Sequence, residues 1–424
     1  MSGFSDEQVM LTLAGLSYRG FQDVLPGEPH IHVVRRGLLA GLDGPHALAP
    51  VRGDWDLVWG PETTRIPFGV FDSNAMYVVR DRAKPCRLVL AVRGTNPVAS
   101  SDWLFGDLWV GMTVGWPFSN DGAAVSASTA LGLLTLQRMK STKPAALAAV
   151  ADAARERLGR ALGEVELAGR AWLNGATATQ SVDPSSIVAQ TERVAAHWLT
   201  SLEARKEVLS QMAAAPDLRV APEDLRCRWT AGAAGEPGDD VLSLLRFEAR
   251  REPLDVVVTG HSKGGALALA AALWLEETRV PGSAAPEECW DESGRSTVRC
   301  YAFAGPTPGN AAFAARLDEK LGERLHRIAN DHDVVTRAWA SADVADLPAI
   351  YGLRSAPLAP AAAALSAAVR RFDYRHPSLG RSRFAGTTDP LRPLAAEIVH
   401  QHMDAYLDNL GLGASMDAVK FFVG

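Results

Sequence analysis

Apolar residues along this chain follow two rhythms. Strand-like runs occur at 75–79 (AMYVV), 87–92 (RLVLAV), 255–259 (DVVVT), 298–304 (VRCYAFA) and 325–329 (LHRIA), and 87–92 is nearly all apolar. Runs of this length without polar alternation are the pattern of strands buried on both faces, as in a parallel sheet. Between them lie stretches with helical spacing, from Asp6 to about Phe21, from about Gly122 to Met139, and an Ala-rich run from Gly264 to Glu277. Strands alternating with helices predict an α/β fold with a mostly parallel central sheet flanked by helices. The remainder of the first 50 residues reads as a Gly/Pro-broken segment, and 356–369, with two prolines, reads as a loop plus a short helix.

The stretch 140–240 has another texture, rich in Ala, Arg, Glu and Leu. Leu147, Val150, Ala154 and Leu158 recur at helical spacing, and Asp183-Pro184 is a helix start signal. It is followed by an apolar stripe of Ile187, Val194, Trp198, Leu202, Leu209 and Met212. The expected division is therefore 1–139 and 241–424 as two parts of one α/β domain, split by a helical, cap-like insertion at 140–240.

Composition narrows the function classes. Of 424 residues, 47% are hydrophobic and 22% charged, which suits a globular chain with its own core. The formal net charge of -6 argues against a nucleic-acid binder, which needs a basic face for phosphates. Cys86, Cys227, Cys289 and Cys300 show no C-x-x-C spacing, so neither a zinc ribbon nor a redox pair is expected. No uncharged stretch is longer than 122–137, which is shorter than the ~20 apolar residues a membrane span needs, so no transmembrane segment is expected. Asp6 and Glu7 stand where a secretory signal carries positive charge. The expected destination is the cytoplasm or a leaderless export route. Tryptophan is over-used, with 11 Trp against 6 Tyr.

The strongest local signal is Gly260-His261-Ser262-Lys263-Gly264, between the DVVVT run and the Ala-rich helical stretch. G-x-S-x-G in a strand–turn–helix context is a nucleophile elbow. The sharp turn leaves room only for glycines around the serine and lifts its hydroxyl above the sheet. The helix start beside it offers backbone N–H groups to a developing oxyanion. A serine hydroxyl needs an imidazole to take its proton and a carboxylate to orient that imidazole. Downstream lie Asn330-Asp331-His332-Asp333-Val334-Val335, then His400-Gln401-His402. Both arrive in the chain order Ser, Asp, His of α/β-hydrolases.

With these pieces in view, the chain resembles the class 3 (fungal-type) lipase family of the α/β-hydrolase superfamily. The matching pieces are Ala91-Val92-Arg93-Gly94-Thr95, the segment from Gly260 to Ala268, Phe303-Ala304-Gly305-Pro306-Thr307-Pro308-Gly309-Asn310, Asn330 to Val335, and a histidine shortly before Tyr406-Leu407. They occur in family order over about 50–140 and 250–410. The resemblance implies an α/β-hydrolase fold and a serine carboxylester hydrolase, a lipase or esterase acting on acylglycerols or related lipid esters. It implies Ser262 as nucleophile, Asp333 as acid with Asp331 as alternative, and His402 as base with His400 as alternative. The implied oxyanion donors are Thr95 and the Lys263 backbone N–H. The implied lid-like segment is 97–120, where Trp103, Leu104, Phe105, Leu108, Trp109 and Trp116 supply an apolar wall for an acyl chain or a lipid interface.

Lys263 departs from the apolar residue many relatives carry after the serine, and its ammonium is expected to pair with Asp107 or Asp331. His400-x-His402 and Asp331-x-Asp333 are conceivable metal ligands, but a triad uses one member of each pair, so neither metal nor cofactor is expected. The expected partner is a lipid or small ester, with lipid-interface contact. A phospholipase A1, an acyltransferase, and a non-catalytic lipid-binding protein on the same fold are the alternatives; oligomeric state is left open.

Overall fold

The structure, a computed structural model, describes residues 3–19, 30–44, 47–65, 72–94, 113–141, 219–220, 240–282 and 285–413. Its strands are β1 (Trp55–Arg65), β2 (Asp72–Asp81), β3 (Arg87–Val92), β4 (Thr113–Gly115), β5 (Ala124–Ser126), β6 (Arg219–Val220), β7 (Asp255–His261), β8 (Thr297–Phe303), β9 (Leu325–Asn330) and β10 (Arg381–Phe384). Seven of them form one sheet in the order β1-β2-β3-β7-β8-β9-β10. From β3 to β10 every neighbouring pair is parallel, while β1 and β2 are joined antiparallel at one edge. β4 pairs with β5 and β6 in a small separate sheet.

The unbroken apolar runs have a direct packing reason. Leu88, Leu90, Val92, Val256 and Val258 enter a core on one face, beneath the helices Ala127–Arg138 and Lys263–Glu277. Val89, Ala91 and Val257 enter a second core on the other face, against Met10, Leu13 and Leu407. Each side chain of this size taken fully out of water stabilises the fold by about 1.5–3 kcal/mol. A polar residue at any of these positions would face one core or the other.

Register brings the functional ends together. Val92 of β3 stands opposite Gly260 of β7, and His261 of β7 opposite Phe303 of β8. The carboxyl ends of three strands thus meet where Ser262 follows, the usual place for a site in an open parallel sheet.

Three elements differ from the sequence expectation. The Gly/Pro-broken segment contains a helix, His30–Leu42. A Cβ on its Gly41 would stand 2.3 Å from Leu16 Cδ2, so that glycine serves close helix approach rather than helix breaking. The helix expected from about Gly122 starts at Ala127, because 124–126 pair with β4 and Ser126 caps the first turn. The segment 356–369 is a 3₁₀ turn, Ala356–Leu358, followed by a full helix, Ala359–Val369, whose prolines sit at helix starts. The insertion expected at 140–240 lies outside the described residues except at its borders and at β6. Among the described residues no helix is long and apolar enough to cross a membrane.

Candidate active site

The turn after β7 is built by sterics. Ser262 has φ 62°, the left-handed region that a side chain rarely adopts, and the helix Lys263–Glu277 starts directly after it. A Cβ on Gly260 would lie 2.1 Å from the Gly264 carbonyl oxygen, and one on Gly264 would lie 2.4 Å from the Val92 carbonyl oxygen. Both clashes are with backbone, which side-chain rotation cannot relieve. Gly264→Ala is expected to lower stability by about 1–3 kcal/mol in urea unfolding. An unchanged midpoint would contradict this packing.

The Ser262 side chain makes no capping bond to its own helix. Its Oγ lies 2.9 Å from His402 Nε2, and His402 Nδ1 lies 2.9 Å from Asp333 Oδ2. His402 comes from the end of the helix Leu394–His402, and Asp333 from the loop after β9. Asp333 is fully buried and accepts two further bonds, from Val335 N–H and the Tyr406 hydroxyl, each 2.9 Å. Tyr406 oxygen accepts the Asn330 N–H at 3.0 Å, which leaves its proton for Asp333. A carboxylate surrounded by donors requires the proton on His402 Nδ1. Nε2 of the neutral ring is then the acceptor that faces the serine hydroxyl.

A supporting shell fixes these groups. His261 is buried, and its Nε2–H donates to the His402 carbonyl at 2.9 Å. Burial, reinforced by the neighbouring His402, holds its pKa well below the usual histidine range, so it stays neutral. The Tyr18 hydroxyl accepts from Gly94 N–H at 3.1 Å and donates to the His261 carbonyl at 3.3 Å, tying the end of β3 to the end of β7. Gln401, next to His402 and fully buried, accepts from Asn330 Nδ2 at 2.7 Å and donates to Glu397 at 2.8 Å. That clamp joins the loop carrying Asp333 to the helix carrying His402. Tyr18 and Gln401 carry no motif of their own; Tyr406 was visible only as a landmark beside the histidine.

The structure thus brings Ser262, His402 and Asp333 together and sends their alternatives elsewhere. His400 Nδ1 faces Asp404 at 3.4 Å. Asp331 is held by Arg383, whose Nε donates to it at 2.6 Å. Lys263 is buried; of its two expected partners, Asp331 is taken by Arg383 and Asp107 lies outside the described residues. Thr95, Trp103, Leu104, Phe105, Leu108 and Trp109 also lie outside them. Trp116 needs correction as a lid or acyl-wall residue. It is fully buried in the core beside Phe118 and Phe313, with its indole N–H donating to Glu277 at 2.6 Å. A buried indole needs a partner for its N–H, and the Glu277 carboxylate supplies it from inside the fold.

Residues 229–342 match a family model described as Lipase (class 3). This part of the chain is similar to the class 3 lipases. Phospholipase A1 EG1 of Oryza sativa subsp. indica is 34% identical over 155 residues, 34% of this chain and 32% of that protein. A secreted mono- and diacylglycerol lipase, LIP4, of Malassezia restricta is 33% identical over 94 residues, 22% of this chain and 27% of that lipase. The chain thus spans about a third or less of the curated relatives it matches. The crystal structure of M37 lipase aligns over 99% of this chain and 98% of its own, with TM-score 0.67 and 23% identity. That likeness is one of fold, and the fold is that of the α/β-hydrolases.

Proposed function

We propose that this chain is a class 3 lipase, a serine carboxylester hydrolase that cleaves acylglycerols or related lipid esters through an acyl-enzyme. The observation that carries the reading is the unbroken hydrogen-bond chain Ser262–His402–Asp333 at a strained turn above the sheet. Ser262 Oγ attacks the ester carbonyl while His402 Nε2 takes its proton. Asp333 holds the Nδ1–H and stabilises the imidazolium that forms. The C–O bond to the alcohol breaks, and His402 returns the proton to that leaving oxygen. Water then attacks the acyl-serine by the same route and releases the acid.

The negative oxygen that develops in each step needs donors fixed in advance. The Lys263 N–H, at the start of a helix, is one; Thr95 is proposed as the second. Trp103, Leu104, Phe105, Leu108 and Trp109 are proposed to wall the acyl chain.

A phospholipase A1 is the second reading, favoured by the name of the Oryza sativa relative. Turnover of p-nitrophenyl esters of graded chain length, a diacylglycerol and a phosphatidylcholine separates the two. The proposal expects turnover of the simple esters and faster release from diacylglycerol than from phosphatidylcholine. Faster release of the sn-1 acyl chain from phosphatidylcholine would move the assignment to the second reading. No turnover of any ester would overturn both.

A further inference from the structure

Between β9 and β10 the chain builds a small unit with its own apolar cluster, including Trp339, Leu347, Tyr351, Leu365 and Phe372. It leaves from the carboxyl end of β9, the same end of the sheet that bears Ser262. Its outer surface is unusual. From Leu347 to Val369 the one charged residue is Arg354. On the helix Ala359–Val369 the exposed positions Ala359, Pro360, Ala363 and Ala367 are all apolar, while its serine, Ser366, is turned inward onto the Ser341 carbonyl. Leu353, just before this helix, is 94% exposed.

A second loop completes the surface. Arg354 reaches across to donate to the carbonyls of Asp389 and Arg392, at 2.8 and 2.6 Å. The turn it grips carries Leu391, which is 91% exposed. Arg392 in turn pairs with buried Glu397 at 2.9 Å. The heads of both arginines are thus engaged by the protein, while Leu353 and Leu391, each next to one of them in the chain, are exposed. Such a patch is not the scatter of single apolar residues that every surface shows.

We propose that this surface docks the protein onto a lipid surface, with Leu353 and Leu391 inserted among the acyl chains. Among the described residues from Gly352 to Ala367, the other exposed positions are Gly, Ala and Pro, with no aromatic anchor of the kind that dominates protein–protein contacts. Protruding leucines need no complementary pocket in a fluid acyl layer. Arg370, exposed directly after the helix Ala359–Val369, adds positive charge at its end, complementary to anionic headgroups. The patch also shares its supports with the site. The Tyr351 hydroxyl donates to the His332 carbonyl, next to Asp333, and the Leu391 turn leads into the helix that ends at His402. In its choice of a lipid rather than a protein partner, the inference rests on the hydrolase reading above.

Sedimentation with sucrose-loaded vesicles of equimolar phosphatidylcholine and phosphatidylglycerol tests it, in a Ser262→Ala background so that no lipid is consumed. Leu353→Asp and Leu391→Asp are each expected to lower the vesicle partition constant about tenfold or more. Phe247→Asp, at an exposed position of the helix Val241–Ala249, is expected to leave it unchanged. Thermal melts matching the parent establish that the variants are folded, and Leu353→Ser and Leu391→Ser stand in for any that is not. The proposal is overturned if the parent does not sediment, if both leucine variants bind as the parent does, or if Phe247→Asp is equally impaired. It also falls if the leucine variants change only the oligomeric state in gel filtration, which would make the patch a contact between copies. Turnover of a soluble ester by the unmutated chain tests the hydrolase reading separately, so vesicle binding without turnover would sink that reading alone.

Discussion

Ser262→Ala is expected to lower kcat for ester hydrolysis by about 10⁴–10⁶-fold while the fold survives. The size follows from the proposed covalent step, since without Oγ no acyl-enzyme forms and water must attack directly. What remains is the rate gained from binding and from the oxyanion donors alone. The fold survives because Ser262 Oγ bonds to His402 and makes no capping bond to its own helix. Alanine also meets the same left-handed backbone with a side chain no larger than that of serine. Steady-state turnover of a soluble ester, read beside urea unfolding, checks both halves. Wild-type turnover in a folded Ser262→Ala variant would contradict the proposed mechanism.

Asp333→Asn carries the second large effect, about 10⁴-fold in kcat. Three donors converge on the Asp333 carboxylate, from His402, Tyr406 and Val335. A carboxamide has one oxygen to offer them. If its NH₂ group faces His402, the ring is driven to the other tautomer, and Nε2 can no longer take the serine proton. If the oxygen faces His402, the NH₂ group meets the buried Val335 N–H. Asp331→Asn is the matched control. Its partner Arg383 and its own side chain are 49% and 38% exposed, so the pair adds little. A kcat within about twofold of wild type is expected there, the scale of an exposed ion pair. Equal losses in the two variants would contradict the assignment of Asp333.

Much of this site was legible in the chain because its chemistry is local. The strained turn needs glycines within two residues of Ser262, and the VVV run and the Ala-rich stretch declare the strand and helix it joins. The proposed acid and base are legible down to a pair each, because Asp331 and Asp333, like His400 and His402, lie two residues apart. Geometry separates them, since one member of each pair meets Ser262 and the other meets Arg383 or Asp404. What could not be read depends on contacts between distant segments. Tyr18 touches Gly94 and the His261 carbonyl across the sheet, and no spacing rule announces such a bond. Gly41 falls in the segment that reads as Gly/Pro-broken, since glycine weakens an isolated helix, whereas in the fold its missing Cβ admits Leu16 at close range. Trp116 lies in an aromatic-rich run, and composition alone does not say which of its rings turn inward. Glu277, buried at the end of the Lys263–Glu277 helix, is what draws that indole into the core.

The central claim is that Ser262 is a nucleophile activated by His402. Labelling with a fluorophosphonate probe, followed by intact mass and peptide mapping, tests it most directly. One probe adduct per chain at Ser262 is expected, with labelling strongly slowed in His402→Ala and unaffected in His400→Ala. An unlabelled chain, an adduct on another residue, or equal labelling rates in the two histidine variants would contradict it.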